Sequence, residues 1–312
     1  MEEDGKKDEE VLEAKPEELK EEADDNPAEG KKPKSKHNVI VAIVAIVAVI
    51  CVGVFWYVDY EAPHQQAVDA FNEAKSGLDE RNAELDSAIS DLQGVQASDV
   101  KPLDPATDDA ATAAISDAQA ARQDVPAMPG GTNDINVEAQ QVSQMGDYAD
   151  QLAQIATAKD ALQKSIQQMQ QVTNPSEAFV LQRLTGLPDV TGSEAVSEGN
   201  DPNNELGKQG SYTATVYFTS GLVDQSQVHS SPGYTGIVAK GNDGGGTVEV
   251  YATTEDANKR NDYLGAFDGN GFLSPGSHEV FSTCVVRTSR LLAASKQQAL
   301  TKEVEGSLSA LQ

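Results

Sequence analysis

The chain has 312 residues, a formal net charge of −27 and only 5% aromatic residues. Residues 1–58 carry 8 Lys/Arg against 14 Asp/Glu, and residues 59–312 carry 15 against 36. Two acidic halves exclude nucleic acid as an electrostatic partner, since that needs a basic face, and argue against anionic wall polymers on the same ground. Divalent cations remain compatible with the charge, although solubility alone accounts for it.

Residues 1–30 are rich in Glu, Asp and Lys, with Pro16 and Pro27 as breakers. Apolar residues are too few to offset the entropy of ordering, so residues 1–38 read as a disordered acidic tail ending in a basic run, Lys31, Lys32, Lys34 and Lys36. Val39 to Val58 then follows as 20 residues with no charge. As a helix it would span ~30 Å, the hydrocarbon thickness of a bilayer. Its 13 Val, Ile and Phe residues favour insertion by roughly −4 to −8 kcal/mol together. Strands rarely exceed ~10 residues, so the β-branched composition does not make this a strand.

The lysines before the span and the acids Asp59 and Glu61 after it place the N-terminus in the cytoplasm and the rest outside. Trp56, Tyr57 and Tyr60 are the expected interface anchors at the exit end. A cleaved signal peptide would need a far shorter and basic leader, and Cys51, preceded by Ile50, lacks a lipobox, so the span reads as an uncleaved anchor in the plasma membrane. Cys51 in the span and Cys284 outside it cannot pair within one chain. A large exported region without disulfides fits a Gram-positive envelope.

From Pro63, Phe71, Leu78, Leu85 and Leu92 recur every seven residues, with Val68 and Ile89 on companion positions that Lys75 and Asn82 interrupt. This coiled-coil-like seam is expected to end at Gly94. Pro102 and Pro105 break the chain before a short Ala-rich helix, Ala106 to Gln123. After the loop Val125–Asp134, with Asn133 and Asp134 as cap candidates, a second long helix is predicted over Ile135–Val172. Its seam reads Val142, Met145, Leu152, Ile155, Leu162, Ile166 and Met169, with Lys159 as a fault. Residues 59–186 thus form a helical hairpin or three-helix bundle, with an oligomeric coiled coil as the alternative. The Pro/Gly breaks favour chain reversal, hence a monomeric outer region.

Ser176 to Leu184 is a short helix. Residues 187–211 read as a linker; its LPDVTG (Leu187–Gly192) is one residue longer than a sortase signal. Tyr212–Phe218 alternates, with Tyr212, Ala214, Val216 and Phe218 on one face. Thr235–Ala239 is a weaker strand, Asn242–Gly246 a turn, and Thr247–Tyr251 a strand with Val248 and Val250 inward. Thr253 or Thr254 caps a helix that buries Ala257, Leu264 and Phe267 and ends at Asp268-Gly269. Glu279–Thr288 is one long or two short strands, and a last helix from about Ala294 carries Leu300, Val304, Leu308 and Leu311. Residues 212–312 are therefore a small α+β domain with a largely antiparallel sheet. The whole is a membrane-anchored, mainly α outer region followed by that domain.

The stretches Glu198–Phe218 (EGNDPNNELGKQGSYTATVYF), Gly245–Leu264 (GGTVEVYATTEDANKRNDYL) and Ser277–Gln298 (SHEVFSTCVVRTSRLLAASKQQ) resemble a family of Ebh-like envelope proteins of bifidobacteria, other actinobacteria and streptococci. The resemblance covers roughly Phe179 to Gln312. It implies a lipoprotein or single-span anchor, a helical outer region and this small domain, and it implies no activity. One departure is Leu292, where similar sequences have Thr at the cap of the last helix, which puts that helix's start in question.

Candidate chemistry is thin. Asp201, Asn203 and Glu205 alternate before Gly207 like an EF-hand opening, but position 12 is Tyr212, so a turn bonded by its own Asx side chains is preferred. His278 and Cys284, six apart, would share a face of one strand, although Cys284 reads as inert core. His229 beside Ser230 and Ser231 reads as a loop coincidence. Gly241–Gly246 lacks the Gly-Lys-Ser/Thr of a phosphate loop. Lys259 and Arg260 read as a solvated helix face. The sequence thus assigns no catalytic, cofactor-binding or metal-ligating residue. It points to a non-enzymatic, single-pass envelope protein with a binding or structural role. The partner classes left open are a cell-wall component or an extracellular protein. An envelope hydrolase, or transmembrane signalling through Glu10–Lys20 of the acidic tail, is the alternative.

Overall fold

The computed structural model describes residues 36–311. The acidic tail and its basic run, Lys36 apart, lie outside the described residues. Helix α1 spans Lys36–Trp56 and passes into a π-helical turn, Tyr57–Glu61. Among the described residues one helix is long and apolar enough to cross a membrane, and α1 supplies its apolar part. From Ile43 to Tyr60 every side chain is exposed among the described residues. Trp56 and Tyr60 stack with centroids 5.9 Å apart.

A second compact unit runs from His64 to the C-terminal end. Helix α2 (Ala62–Gln96) buries Phe71, Leu78, Leu85, Ile89 and Leu92, the predicted seam. It continues through the exposed Gly94, because Val95 still packs beside Leu92. Helix α4 (Thr132–Gln144) covers the first half of that seam with Ile135, Ala139 and Val142. Helices α3 (Ala106–Ala121) and α5 (Ala149–Gln171) cover the second half with Ala111, Ala118, Ile155 and Leu162. The result is a bundle, not two long rods.

The single helix expected over Ile135–Val172 is broken. Gly146 takes φ +75° between α4 and α5, and a Cβ there would lie 2.8 Å from Leu78 Cδ1. Only glycine fits both the left-handed backbone and the close approach to α2. Asn133 and Asp134 are not caps either: α4 starts at Thr132, with Gly131 at the N-cap and no side-chain bond.

Helix α6 (Glu177–Leu184) is capped by Ser176, whose hydroxyl accepts from Phe179 N–H at 3.2 Å. Five strands follow in one antiparallel sheet of order β1-β2-β3-β5-β4: β1 Val190–Ala195, β2 Tyr212–Ser220, β3 Gly245–Tyr251, β4 Ser277–Phe281 and β5 Cys284–Thr288. Strand β1 lies in the segment read as a linker. It is short, holds Gly192, lacks alternation, and pairs along β2 across a bulge. The strand expected at Thr235–Ala239 is absent. Gly236 is left-handed there, and a 3₁₀ stretch, Val238–Gly244, leads into β3.

One sheet face carries Val216, Phe218, Val248, Val250, Cys284 and Val286. It packs on α6 and on α8 (Ala294–Ser309) through Val180, Leu184, Leu300, Val304 and Leu308. Val172, at the end of α5, sits in the same core, which ties the bundle to the sheet. Tyr212 does not join this face. A bulge between Tyr212 and Ala214 turns it to the other side, where α7 (Thr254–Gly265) packs with Ala257 and Leu264. Phe267 lies past the end of α7, half-buried and edge-on to Tyr263, and Leu311 lies past α8 and is exposed. Leu292 is buried in the main core, and α8 begins two residues later without a side-chain cap.

Candidate functional site

Strand β3 alternates, so with Val248 and Val250 inward, Thr247, Glu249 and Tyr251 face α7. Glu249 is fully buried. A buried carboxylate is costly unless it is paired and hydrogen-bonded. Arg260 of α7 grips it in bidentate fashion, Nε to Oε2 at 2.7 Å and Nη2 to Oε1 at 2.9 Å. Arg287 of β5 donates from Nη1 to Oε1 at 2.7 Å, and Tyr251 donates its hydroxyl to Oε2 at 2.9 Å. Burial alone would push the Glu249 pKa up, but the Arg287 and Arg260 guanidiniums outweigh it and hold the carboxyl well below its ordinary range. Burial, with Glu249 second, pushes the Tyr217 hydroxyl up to about 12 and the Tyr251 hydroxyl higher still.

The local sequence explains the grip. Thr253 caps α7 by accepting from Asp256 N–H at 3.1 Å. Ala257, Arg260 and Leu264 then fall at spacings of three and four and share the face toward the sheet. Arg260 is thus part of the buried face, and its expected place on a solvated face is corrected. Lys259, one residue earlier, is exposed and pairs with Glu255 at 2.8 Å and Asp256 at 3.5 Å.

Beside this ion cluster lies the turn at 201–206. The Asp201 carboxylate accepts N–H bonds from Asn203, Glu205 and Leu206 at 3.0, 2.6 and 2.8 Å, and the hydroxyl of Tyr212. Burial works to raise its pKa, but these four donors lower it on balance. Its oxygens are spent on the backbone, as the Asx-turn reading expects. Among the described residues no three His, Cys, Asp or Glu are grouped to hold a metal.

Between this turn and α7 opens a cleft of about 430 Å³. Tyr212 and Tyr251 meet edge to face there, with centroids 6.5 Å apart. Asn203, Glu205 and Ser211 line one wall, and Asp256, Lys259, Arg260 and Tyr263 the other. Tyr263 is 58% exposed, and the Arg260 guanidinium lies 5.6 Å from its ring centre.

The pairing of His278 with Cys284 fails. The chain reverses at Ser282, where φ is +59°, so the two residues sit on neighbouring strands, not one. His278 is opposite Arg287, on the Glu249 face, whereas Cys284 lies in the main core. Burial pushes the Cys284 thiol up to about 12, and His278 instead bonds Asn261 and Asp268 at 2.7 and 3.2 Å. His229, Ser230 and Ser231 are exposed on a loop.

Sequence reasoning missed Glu249. Its signal was present: one acid on the outer face of a strand, with an arginine at the Ala257/Leu264 helical spacing two turns into the next helix. No family model, curated protein or solved structure matches the chain. The resemblance to Ebh-like envelope proteins therefore rests on the motifs alone.

A second titratable carboxyl lies elsewhere. Glu305 of α8 is half-buried near Glu279 of β4, and its Oε1 has no hydrogen-bond partner. Burial first, then Glu279, pushes its pKa up to about 7, with Lys302 opposing. A carboxyl raised in the folded state binds more protons folded than unfolded between about 4.5 and about 7. Stability is expected to fall as pH rises through that window. Thermal melts of Glu305→Gln should show a flatter dependence there than the parent; an unchanged slope would remove Glu305 as the cause.

Proposed function

We propose that this chain is a single-pass envelope protein with a cytoplasmic N-terminus, and that the unit from His64 onward lies outside and acts by binding, without catalysis. The observation that carries the binding role is the open cleft over the Glu249–Arg260–Arg287 cluster. Its walls are fixed from below: Arg260 by Glu249, Tyr212 by Asp201, Tyr251 by Glu249. Side chains held in place before a ligand arrives lose little entropy on binding. The orientation is supported by the lysines before the span and the acids after it, and the envelope location by the Ebh-like motifs of Glu198–Gln298.

Two arms test this. Protease added to wall-stripped cells should remove everything beyond Tyr60 and spare an N-terminal tag; loss of the tag with survival of the C-terminus overturns the orientation. A photo-crosslinking residue in place of Lys259 of the full-length chain should capture an envelope component in cells, and one in place of Val137, exposed on α4, should not. Equal capture from both positions, or none from Lys259, overturns the cleft as the binding surface.

A further inference from the structure

We propose that the cleft between the 201–206 turn and α7 is a recognition site for a neutral saccharide, an inference that rests on the binding role assigned to that cleft. The chemistry of its lining selects the ligand class. Each cation at its rim already faces a carboxylate of the chain. Lys259 is held by Glu255 and Asp256, Arg260 by Glu249, and Lys208, beside the cleft, by Glu205 at 3.7 Å. A cleft whose cations are already paired offers no free positive group to an anion, and the −27 charge of the chain repels polyanions further; among the described residues no three acids or imidazoles are grouped for a metal cation.

What remains on offer is an aromatic face and hydrogen-bonding groups. Tyr263 presents its ring to solvent, steadied by Phe267 edge-on at 5.2 Å and by the Arg260 guanidinium. Arg260, which lines the cleft, spends Nε and Nη2 on Glu249 and keeps Nη1 as a further donor. Asn203, Ser211 and Asp256 supply further donors and acceptors at the rim. A sugar ring has an apolar C–H face that stacks on an aromatic ring and a rim of hydroxyls that both donate and accept. The cleft is open, which suits a few rings of a chain polymer, whereas a buried drug-like ligand needs an enclosed and mostly apolar pocket. A peptide is the competing class. It is less favoured because the strand residues in the lining belong to the inner strands β2 and β3, which offer no free edge for main-chain pairing, and because no aliphatic side chain lines the cleft.

The test uses the full-length chain in lipid nanodiscs. An array of neutral glycans is screened beside an array of peptides, and hits are quantified by saturation-transfer NMR. Saturation of sugar-ring protons is expected, with binding at least tenfold weaker for Tyr263→Ala and retained by Tyr263→Phe. Tyr263 is solvent-exposed, so neither variant puts the fold at stake. No binding to any neutral glycan overturns the proposal. Peptide binding that Tyr263→Ala abolishes overturns the saccharide class but leaves the cleft as a binding site. Glycan binding that Tyr263→Ala leaves unchanged overturns the cleft itself.

Discussion

Replacing Glu249 with Ala is expected to destabilise the protein by about 3–5 kcal/mol, because it leaves two guanidiniums in a covered site without their counter-charge. Arg287 is 12% exposed and Arg260 22%, so neither can recover full hydration without moving a strand or α7. Glu249→Gln should cost less, since the amide keeps an acceptor for one arginine. Arg260→Ala should also cost less, because Arg287 and Tyr251 still serve the carboxylate. The pH dependence carries a sign. The folded-state pKa of Glu249 is depressed below the unfolded value of about 4.5, so its contribution is fully present above that value and is lost as pH falls toward about 2. Urea melts of the full-length chain in micelles should show a steeper acid loss for the parent than for Glu249→Gln. A cost below about 1 kcal/mol for Glu249→Ala would mean that water reaches the arginines and that the cluster does not stiffen the cleft.

Much of the fold was legible because its periodicity is strong. The seven-residue recurrence of Phe71, Leu78, Leu85 and Leu92 fixes the buried face of α2, and all four are buried. Val216, Val248 and Val250 were legible as inward strand residues for the same reason, since alternation leaves one choice of face. The failures share a cause, which is that the decisive partner is distant in sequence. Gly146 looked like an interior helix residue, and only the close approach of Leu78, 68 positions earlier, makes a break there the better structure. Strand β1 has little β-propensity of its own and exists because β2 offers it an edge. Tyr212 was assigned to the core face by parity, and parity fails at the bulge after it.

The site was less legible than the fold. Lys259 and Arg260 are adjacent and chemically alike, yet one is solvated and the other grips a buried acid. The difference lies in which of them falls on the Ala257–Leu264 face, and in the acid beneath it, 11 residues away on another element. The Asp201 turn was legible because the bonds of its carboxylate are local, reaching no further than Tyr212. The cleft joins the 201–211 segment with α7, some 50 residues later, so no local pattern announces it.

Asn82 provides the second large effect, and it runs against the heptad expectation. In a coiled coil, Asn82 and Lys75 would be polar faults whose replacement by Leu stabilises the assembly or changes its partner number. Here Asn82 is buried, and its Oδ1 accepts from the Tyr148 hydroxyl at 2.7 Å while its Nδ2 donates to the Gln123 carbonyl at 2.9 Å. The same Tyr148 oxygen accepts from Gln123 N–H at 2.9 Å, and the Gln123 side chain accepts from Gly146 N–H at 2.8 Å. The node therefore pins α2, the α3–α4 connection and the α4–α5 break at one point. Asn82→Leu leaves a hydroxyl and a carbonyl unmatched in the interior, at an expected cost of about 2–4 kcal/mol. Lys75→Leu should change stability by only about 0.5 kcal/mol, because Lys75 is exposed and its pairing with Asp79 is a surface one. Tyr148→Phe combined with Asn82→Leu should cost less than the two singles added together, since each orphans the other's partner. Light scattering should return a monomeric mass for the protein part of both variants and the parent. An Asn82→Leu protein as stable as the parent, or one of doubled mass, would place position 82 in a seam between chains and overturn the intramolecular bundle.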